Sequence, residues 1–109
     1  MDWMSGVFGG RLRIPPTMFS WGDNGRGQLG VGSITDRRTP TFISTNWSKI
    51  NAGDHSLGLR SDGRLFAWGN NGLGQLGDGT ETNRTIPTLI GSDTWIAISG
   101  GIEHSLGLR

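Results

Sequence analysis

The sequence predicts an all-β protein made from two copies of one unit, and three observations carry this prediction. The segment SWGDNGRGQLG at 20–30 returns as AWGNNGLGQLG at 67–77, and such self-similarity indicates a repeat architecture. Short apolar runs alternate with polar residues at a period of two, as half-buried strands do. Glycine is frequent, with 20 among 109 residues, and no run of ten residues free of Gly and Pro has helical periodicity.

The repeat extends over almost everything after residue 16. Between residues 21–43 and 68–90, 14 of 23 aligned positions are identical, and HSLGLR at 55–60 recurs unchanged at 104–109. We therefore divide the chain into an N-terminal arm at 1–16, a first repeat at 17–63 and a second repeat at 64–109.

Each repeat is predicted to contain about four short strands. Leu57 and Leu59 share one face with His55 when successive side chains alternate. The run Ser61-Asp62-Gly63 separates this strand from the next, and Asp-Gly between two apolar strands is a hairpin signal. The remaining short strands are expected at 41–43, 47–50, 64–68, 88–90 and 95–98.

A unit of this length with four short strands, periodic Gly and periodic Trp is typical of a β-propeller blade. The motif WGxNxxGQLG followed by HSLGL resembles the regulator-of-chromosome-condensation repeat, in a compact form similar to bacterial and bacteriophage versions. The resemblance covers residues 17–109 and implies closed propellers, commonly of seven blades. It also implies that the repeated residues pack the blades; these are Trp21, Gln28, Leu29, Trp47, His55, Trp68, Gln75, Leu76, Trp95 and His104.

Two blades leave apolar faces open, since each blade buries both of its faces against neighbours. Each end of the repeat region carries the strand that the other end lacks. We therefore expect identical chains to join head to tail into a closed ring, as a trimer or a tetramer. The strands that would pair between subunits contain Phe19, Trp21, Leu106 and Leu108. The alternative is a fragment of a longer propeller that acts as a protein-binding or exchange-factor-like domain.

Composition argues against several other classes. The net charge is +1, from ten basic and nine acidic residues, whereas nucleic-acid and anionic-membrane binders need a clear basic excess. Cysteine is absent, which removes disulfides and thiolate zinc sites. No apolar run approaches the roughly 20 residues that span a bilayer, and the N-terminus is a poor signal peptide. We expect no membrane or nucleic-acid partner.

Three motifs have a structural interpretation beside a chemical one. Both G-x-G-x-x-G segments, at 25–30 and 72–77, lack the βαβ context of a dinucleotide site, so we interpret their glycines as turn formers. His55 and His104 are expected to donate to backbone across a blade interface, and the alternative is a metal ring at a symmetry axis. The repeated tryptophans are packing anchors or, alternatively, aromatic boxes. We expect no catalytic residue, metal or cofactor, and hence no enzyme.

Two further segments are candidates for contacts with other proteins. Residues 1–14 contain apolar side chains that we interpret as a docking arm rather than a disordered leader: Trp3, Met4, Val7 and Phe8. Arg37, Arg38 and Arg84 are expected on one rim of the ring, where they are solvated or bind an acidic partner. The predicted function is a structural or interaction protein that binds or decorates a larger assembly, for example as a decoration or tail component of a phage virion.

Overall fold

The computed structural model describes residues 15–109, and this part of the chain contains strands and no helix, which confirms the predicted all-β fold. The predicted arm lies outside the described residues except for its last two positions, and so do Trp3, Met4, Val7 and Phe8. The strands are β1 (Thr17–Gly22), β2 (Arg37–Thr45), β3 (Trp47–Asn51), β4 (His55–Arg60), β5 (Arg64–Gly69), β6 (Arg84–Thr94), β7 (Ala97–Gly100) and β8 (Ser105–Leu108).

The eight strands form three antiparallel sheets. The central sheet has the order β3-β4-β5-β6, and the other two are the pairs β1-β2 and β7-β8. We call β3–β6 the complete blade, β1–β2 the N-terminal half-blade and β7–β8 the C-terminal half-blade. The repeat alignment makes β1–β2 equivalent to β5–β6, and β7–β8 equivalent to β3–β4. The sheets are therefore out of phase with the sequence repeats, because the complete blade takes two strands from each.

The hairpin between β4 and β5 forms at the predicted Asp-Gly turn. Gly63 has a φ of +88°, a conformation that glycine adopts without steric cost, and its N–H donates to the Arg60 carbonyl at 2.9 Å. In the resulting register Leu57 lies opposite Ala67 and Leu59 lies opposite Leu65.

The core joins the three sheets through the complete blade. One buried cluster contains Met18 of the N-terminal half-blade with Trp47 and Trp68 of the complete blade. A second cluster contains Leu57, Ala67 and Leu76, and Ile98 of the C-terminal half-blade packs against it. The complete blade thus lies between the two half-blades, in a flat body of 50 × 35 × 18 Å.

Glycine at position 58 is required by the packing of the two buried indoles. The ring centroids of Trp47 and Trp68 are 5.8 Å apart, and a Cβ at Gly58 would overlap the ring of Trp47.

Residues 15–109 contain no helix that is long and apolar enough to cross a membrane.

Candidate functional site

The N-terminal half-blade presents an apolar edge and a groove. Phe19 and Trp21 of β1 are exposed, and the edge of β1 away from β2 pairs with no strand of the described chain. A groove of about 530 Å³ lies between this edge and the complete blade, and its lining includes Ser20, Leu29 and Ile50.

The C-terminal half-blade has a corresponding edge and groove. Leu106 and Leu108 of β8 are exposed, and within residues 15–109 β8 pairs with β7 alone. A groove of about 390 Å³ lies beside it, and its lining includes Gly77, Trp95 and Gly107. The four residues that the sequence assigned to subunit pairing therefore all lie on the two half-blades.

The repeat supplies an internal comparison for these surfaces. Trp68 is 3% exposed and Leu57 is 2% exposed, whereas the equivalent Trp21 is 58% exposed and Leu106 is 67% exposed. Because the surrounding motifs are nearly the same, the difference comes from the neighbours. Trp68 and Leu57 have a strand on each side and a residue of another sheet packed on them, whereas the strands of Trp21 and Leu106 each have one free edge within the described chain.

The interface between the complete blade and the C-terminal half-blade contains a hydrogen-bond chain. Nε2 of the buried His55 lies 2.9 Å from Oγ of Ser105, and Ser105 Oγ donates to the Gln75 carbonyl at 2.7 Å. Since the hydroxyl has one proton, Nε2 of His55 must donate, and in the neutral imidazole Nδ1 then carries no proton. The equivalent Ser56 donates to the Gln28 carbonyl at 2.8 Å across the other blade interface.

This geometry places His55 between blades, with its Nε2 against the Ser105 hydroxyl. The pair is not arranged as a base and a nucleophile, because the serine proton is directed to Gln75, away from His55. Nδ1 of His55 has no hydrogen-bond partner in the described residues. His104 is exposed, and within residues 15–109 no three potential metal ligands come together.

We predict that the fold loses stability as the pH falls below about 6.5, the ordinary pKa of histidine. Burial lowers the pKa of His55, and the His104 backbone and Asp54 oppose this only in part. Because the unfolded chain then binds a proton more readily than the folded one, acid favours unfolding. The measurement is the thermal midpoint between pH 5 and pH 8. The His55→Gln variant should show a flatter profile, and an equally steep one would contradict this origin.

Two loops are each organised by a buried asparagine, Asn24 in the loop after β1 and Asn71 in the loop after β5. Asn24 and Asn71 are fully buried. The Asn71 amide donates to the carbonyls of Thr80 and Thr82, and its Oδ1 accepts from Leu76 N–H at 3.0 Å. Asn24 makes the same three bonds, to Ser33, Thr35 and Leu29.

The repeated glutamines close the inner turn of the same loops. Gln28 Oε1 accepts from Arg26 N–H, and Gln75 Oε1 accepts from Leu73 N–H, each at 2.8 Å. These contacts agree with the structural interpretation of the G-x-G-x-x-G segments. The asparagines had no assigned role in the sequence analysis, although both stand at identical positions in the repeated motif, which was the available signal.

The two rim arginines at the starts of β2 and β6 differ in their surroundings. Arg84 Nε donates to Asp78 Oδ2 at 2.8 Å. Hydrogen bonds from Thr80, and then from Arg84, hold the pKa of Asp78 well below its ordinary value. Arg84 therefore holds its own loop together, a role that the sequence analysis missed. At the position equivalent to Asp78 the first repeat has Val31, and Nε of Arg37 is buried without a partner among the described residues.

We predict that Val31→Asp stabilises the protein by up to about 1 kcal/mol, since it supplies Arg37 with the carboxylate that Arg84 already has. The measurement is the urea midpoint at a fixed protein concentration. Adding Arg37→Gln should cancel the gain, which isolates the ion pair. A lower midpoint for Val31→Asp than for the natural chain would contradict the proposed pairing.

The remaining predicted residues divide between core and surface. Leu29, Trp47 and Leu76 are buried, as their packing role requires. Trp95 is half-buried, and Arg38 is exposed on β2. The packing residues with least burial are Trp21 in the N-terminal half-blade, and Trp95 and His104 just before the strands of the C-terminal half-blade, where one neighbouring strand is missing from the described chain.

An antiparallel four-stranded blade flanked by matching half-blades defines a repeat protein of the β-propeller class. The regulator of chromosome condensation (RCC1) repeat model matches residues 17–58 and 62–108, and a second model of this repeat matches residues 48–75. The chain belongs to the RCC1 repeat family.

Comparison with solved structures supports the same fold. The crystal structure of human WBSCR16 superimposes with a TM-score of 0.73 at 25% sequence identity, over 84% of this chain. The matched region is 26% of the human chain, so this chain spans about a quarter of that relative. None of the curated proteins compared with this chain matches it.

Proposed function

We propose that this chain is a non-enzymatic building block of a β-propeller, which closes into a ring with copies of itself and presents its loops to other proteins. The observation that carries the proposal is the complementarity of the two half-blades. β7–β8 are equivalent to the first two strands of the complete blade and β1–β2 to its last two, so together they provide one blade.

Two physical arguments support closure between copies. The complete blade lies between the half-blades of one chain, so they cannot meet within the described part of the chain. The exposed apolar side chains, Phe19 and Trp21 on one edge and Leu106 and Leu108 on the other, also favour association. A head-to-tail joint between copies covers both edges, and repeating it closes a ring.

We predict one discrete oligomer in solution. Each chain is 11.7 kDa and contributes two blades, so a trimer of about 35 kDa has six blades and a tetramer of about 47 kDa has eight, both within the propeller range. Light scattering on a sizing column over a hundredfold range of concentration measures the mass. A stable 11.7 kDa monomer would contradict ring closure.

A second candidate is a protein-binding domain within a longer propeller, favoured by the quarter of the WBSCR16 chain that this chain spans. In that case the strands that cover both edges belong to further repeats of the same polypeptide. The chain studied alone would then form heterogeneous aggregates rather than a discrete ring.

The partner of the ring is proposed to be a protein of a larger assembly. Arg38 is exposed on β2 and would recur around one rim, where it favours an acidic protein surface over nucleic acid, since the net charge is only +1. A virion is the expected example of such an assembly. Its test is co-purification of the chain with particles from its source, and consistent failure to co-purify would exclude this role.

A further inference from the structure

We infer that β8 of one copy pairs with β1 of the next copy in the register that β4 and β5 adopt in the complete blade. This inference rests on the ring proposed above and specifies its joint residue by residue. The complete blade places Leu57 opposite Ala67 and Leu59 opposite Leu65. The repeat alignment transfers this register to Leu106 opposite Ser20 and Leu108 opposite Met18 of the next copy.

The groove at the C-terminal half-blade is open at the place to which this register would bring an indole. Around Trp68, the bare Cα of Gly30 is essential, because a Cβ there would lie 2.9 Å from the indole Nε1. Gly77 is the equivalent of Gly30. A Cβ at Gly77 would meet a methyl group of Ile90 at 3.7 Å as its nearest neighbour, so the space that an indole occupies in the complete blade is open here.

Trp21 of the next copy is the side chain that the register places in this space. In the complete blade Trp68 packs beside Trp47, and both indoles close over Gly58. The C-terminal half-blade already has the other half of this arrangement, because a Cβ at Gly107 would lie 2.7 Å from the ring of Trp95. Seating Trp21 there would cover Trp95 and remove the largest exposed aromatic surface of β1.

The groove at the N-terminal half-blade accepts Leu106 in return. Leu57, the equivalent of Leu106, packs against Ala67, Leu76 and Ile98. The equivalents of those three residues are Ser20, Leu29 and Ile50, and all three line the groove of about 530 Å³ beside β1. The same register therefore fills both grooves: Trp21 would enter the groove at the C-terminal half-blade, and Leu106 would enter the groove at the N-terminal half-blade.

Arg109 gives a third correspondence. In the complete blade the guanidinium of Arg60 lies 5.0 Å from the ring of Trp47 and 5.8 Å from the ring of Phe66. The guanidinium of Arg109 lies 5.6 Å from the ring of Trp95, which is the equivalent of Trp47. Phe66 corresponds to Phe19, which the joint would supply from the next copy, so that Arg109 would stack on both rings.

Engineered disulfides test the register, since the chain has no cysteine. Residues directly opposite in an antiparallel pair have Cβ atoms about 4.5–5.5 Å apart, within reach of a disulfide after small adjustments. The Ser20→Cys/Leu106→Cys variant should form intermolecular disulfides under mild oxidation and give a ladder on a non-reducing gel that stops at the native oligomer. Phe19→Cys/Leu106→Cys is the matched control, because residue 19 faces the opposite side of the strand.

The expected result is at least about tenfold more cross-linked product for the 20/106 pair than for the 19/106 pair. Equal cross-linking of the two variants, or none in an oligomer of ring mass, would overturn the register and leave the ring standing. A monomeric natural chain, together with no cross-linking of the Ser20→Cys/Leu106→Cys variant, would overturn both proposals. The Trp21→Ala variant should shift the native mass towards the monomer with unchanged far-ultraviolet circular dichroism, whereas Ile34→Ala, which removes an exposed loop side chain, should not.

Discussion

The Trp68→Ala variant should lose about 3 kcal/mol of unfolding free energy, near the lower end of the range for removing a buried tryptophan. Trp68 connects the N-terminal half-blade to the complete blade through Met18 and Trp47, so the cavity would lie where two sheets meet. The loss is at the lower end because Nε1 of Trp68 is buried without a partner among the described residues, and its removal relieves that cost.

Urea denaturation at one fixed protein concentration measures this effect, since the stability of the proposed oligomer would depend on concentration. Trp68→Phe keeps part of the contact area and should lose less than half as much. Ile34→Ala removes an apolar side chain that is exposed in a loop and should stay within about 0.5 kcal/mol of the natural chain. Equal stability of Trp68→Ala and Ile34→Ala would show that the central cluster is not what holds the sheets together.

The Asn71→Ala variant should lose about 2–4 kcal/mol, because it removes the donor and the acceptor that the loop after β5 depends on. The carbonyls of Thr80 and Thr82 and the Leu76 N–H would lose their partners, and each buried polar group left unpaired costs about 1–3 kcal/mol. A water molecule that enters the vacated space would reduce the loss towards the lower figure.

Asn24→Ala is the matched comparison for this prediction. Asn24 makes the three equivalent bonds, but Asn71 also donates to Asp78 at 3.1 Å, so Asn24→Ala should lose somewhat less. Asn71→Asp keeps the acceptor, removes the donors and places a second carboxylate near Asp78, and we expect a loss at least as large as that of Asn71→Ala. Unfolding midpoints equal to that of the natural chain would refute the structural role of the amide.

The fold could be predicted from the sequence because the chain contains two copies of the repeat. The alternation in HSLGLR and the Asp62-Gly63 turn define a hairpin that the structure contains, and the motif around Trp21 and Trp68 is specific to one kind of blade. The repeat boundaries could not show how the strands divide into sheets, since pairing is decided by which edges meet in space and not by where a sequence unit begins.

Side-chain roles in the loops were harder to predict. Asn71 and Asp78 are short polar residues in a glycine-rich segment, where most such residues are solvated. Only the folded loop brings Asp78 to Arg84 and directs the Asn71 amide at two carbonyls. The sequence therefore grouped the rim arginines by their position alone. In the structure Arg84 has a carboxylate partner, whereas Nε of the half-buried Arg37 has no partner among the described residues.

The offset between sequence repeat and blade has a consequence for how such genes can change length. Because the repeat boundary falls inside a blade, with a half-blade at each end of the described chain, duplication of a whole repeat inserts one more blade and leaves both ends as they were. The joining surfaces would then be inherited unchanged while the number of blades per polypeptide grows. In this way one long gene, or a short gene whose products assemble, could encode the same ring of blades. Duplication of only part of a repeat would change one of the two ends, and the ends would then no longer complete one blade.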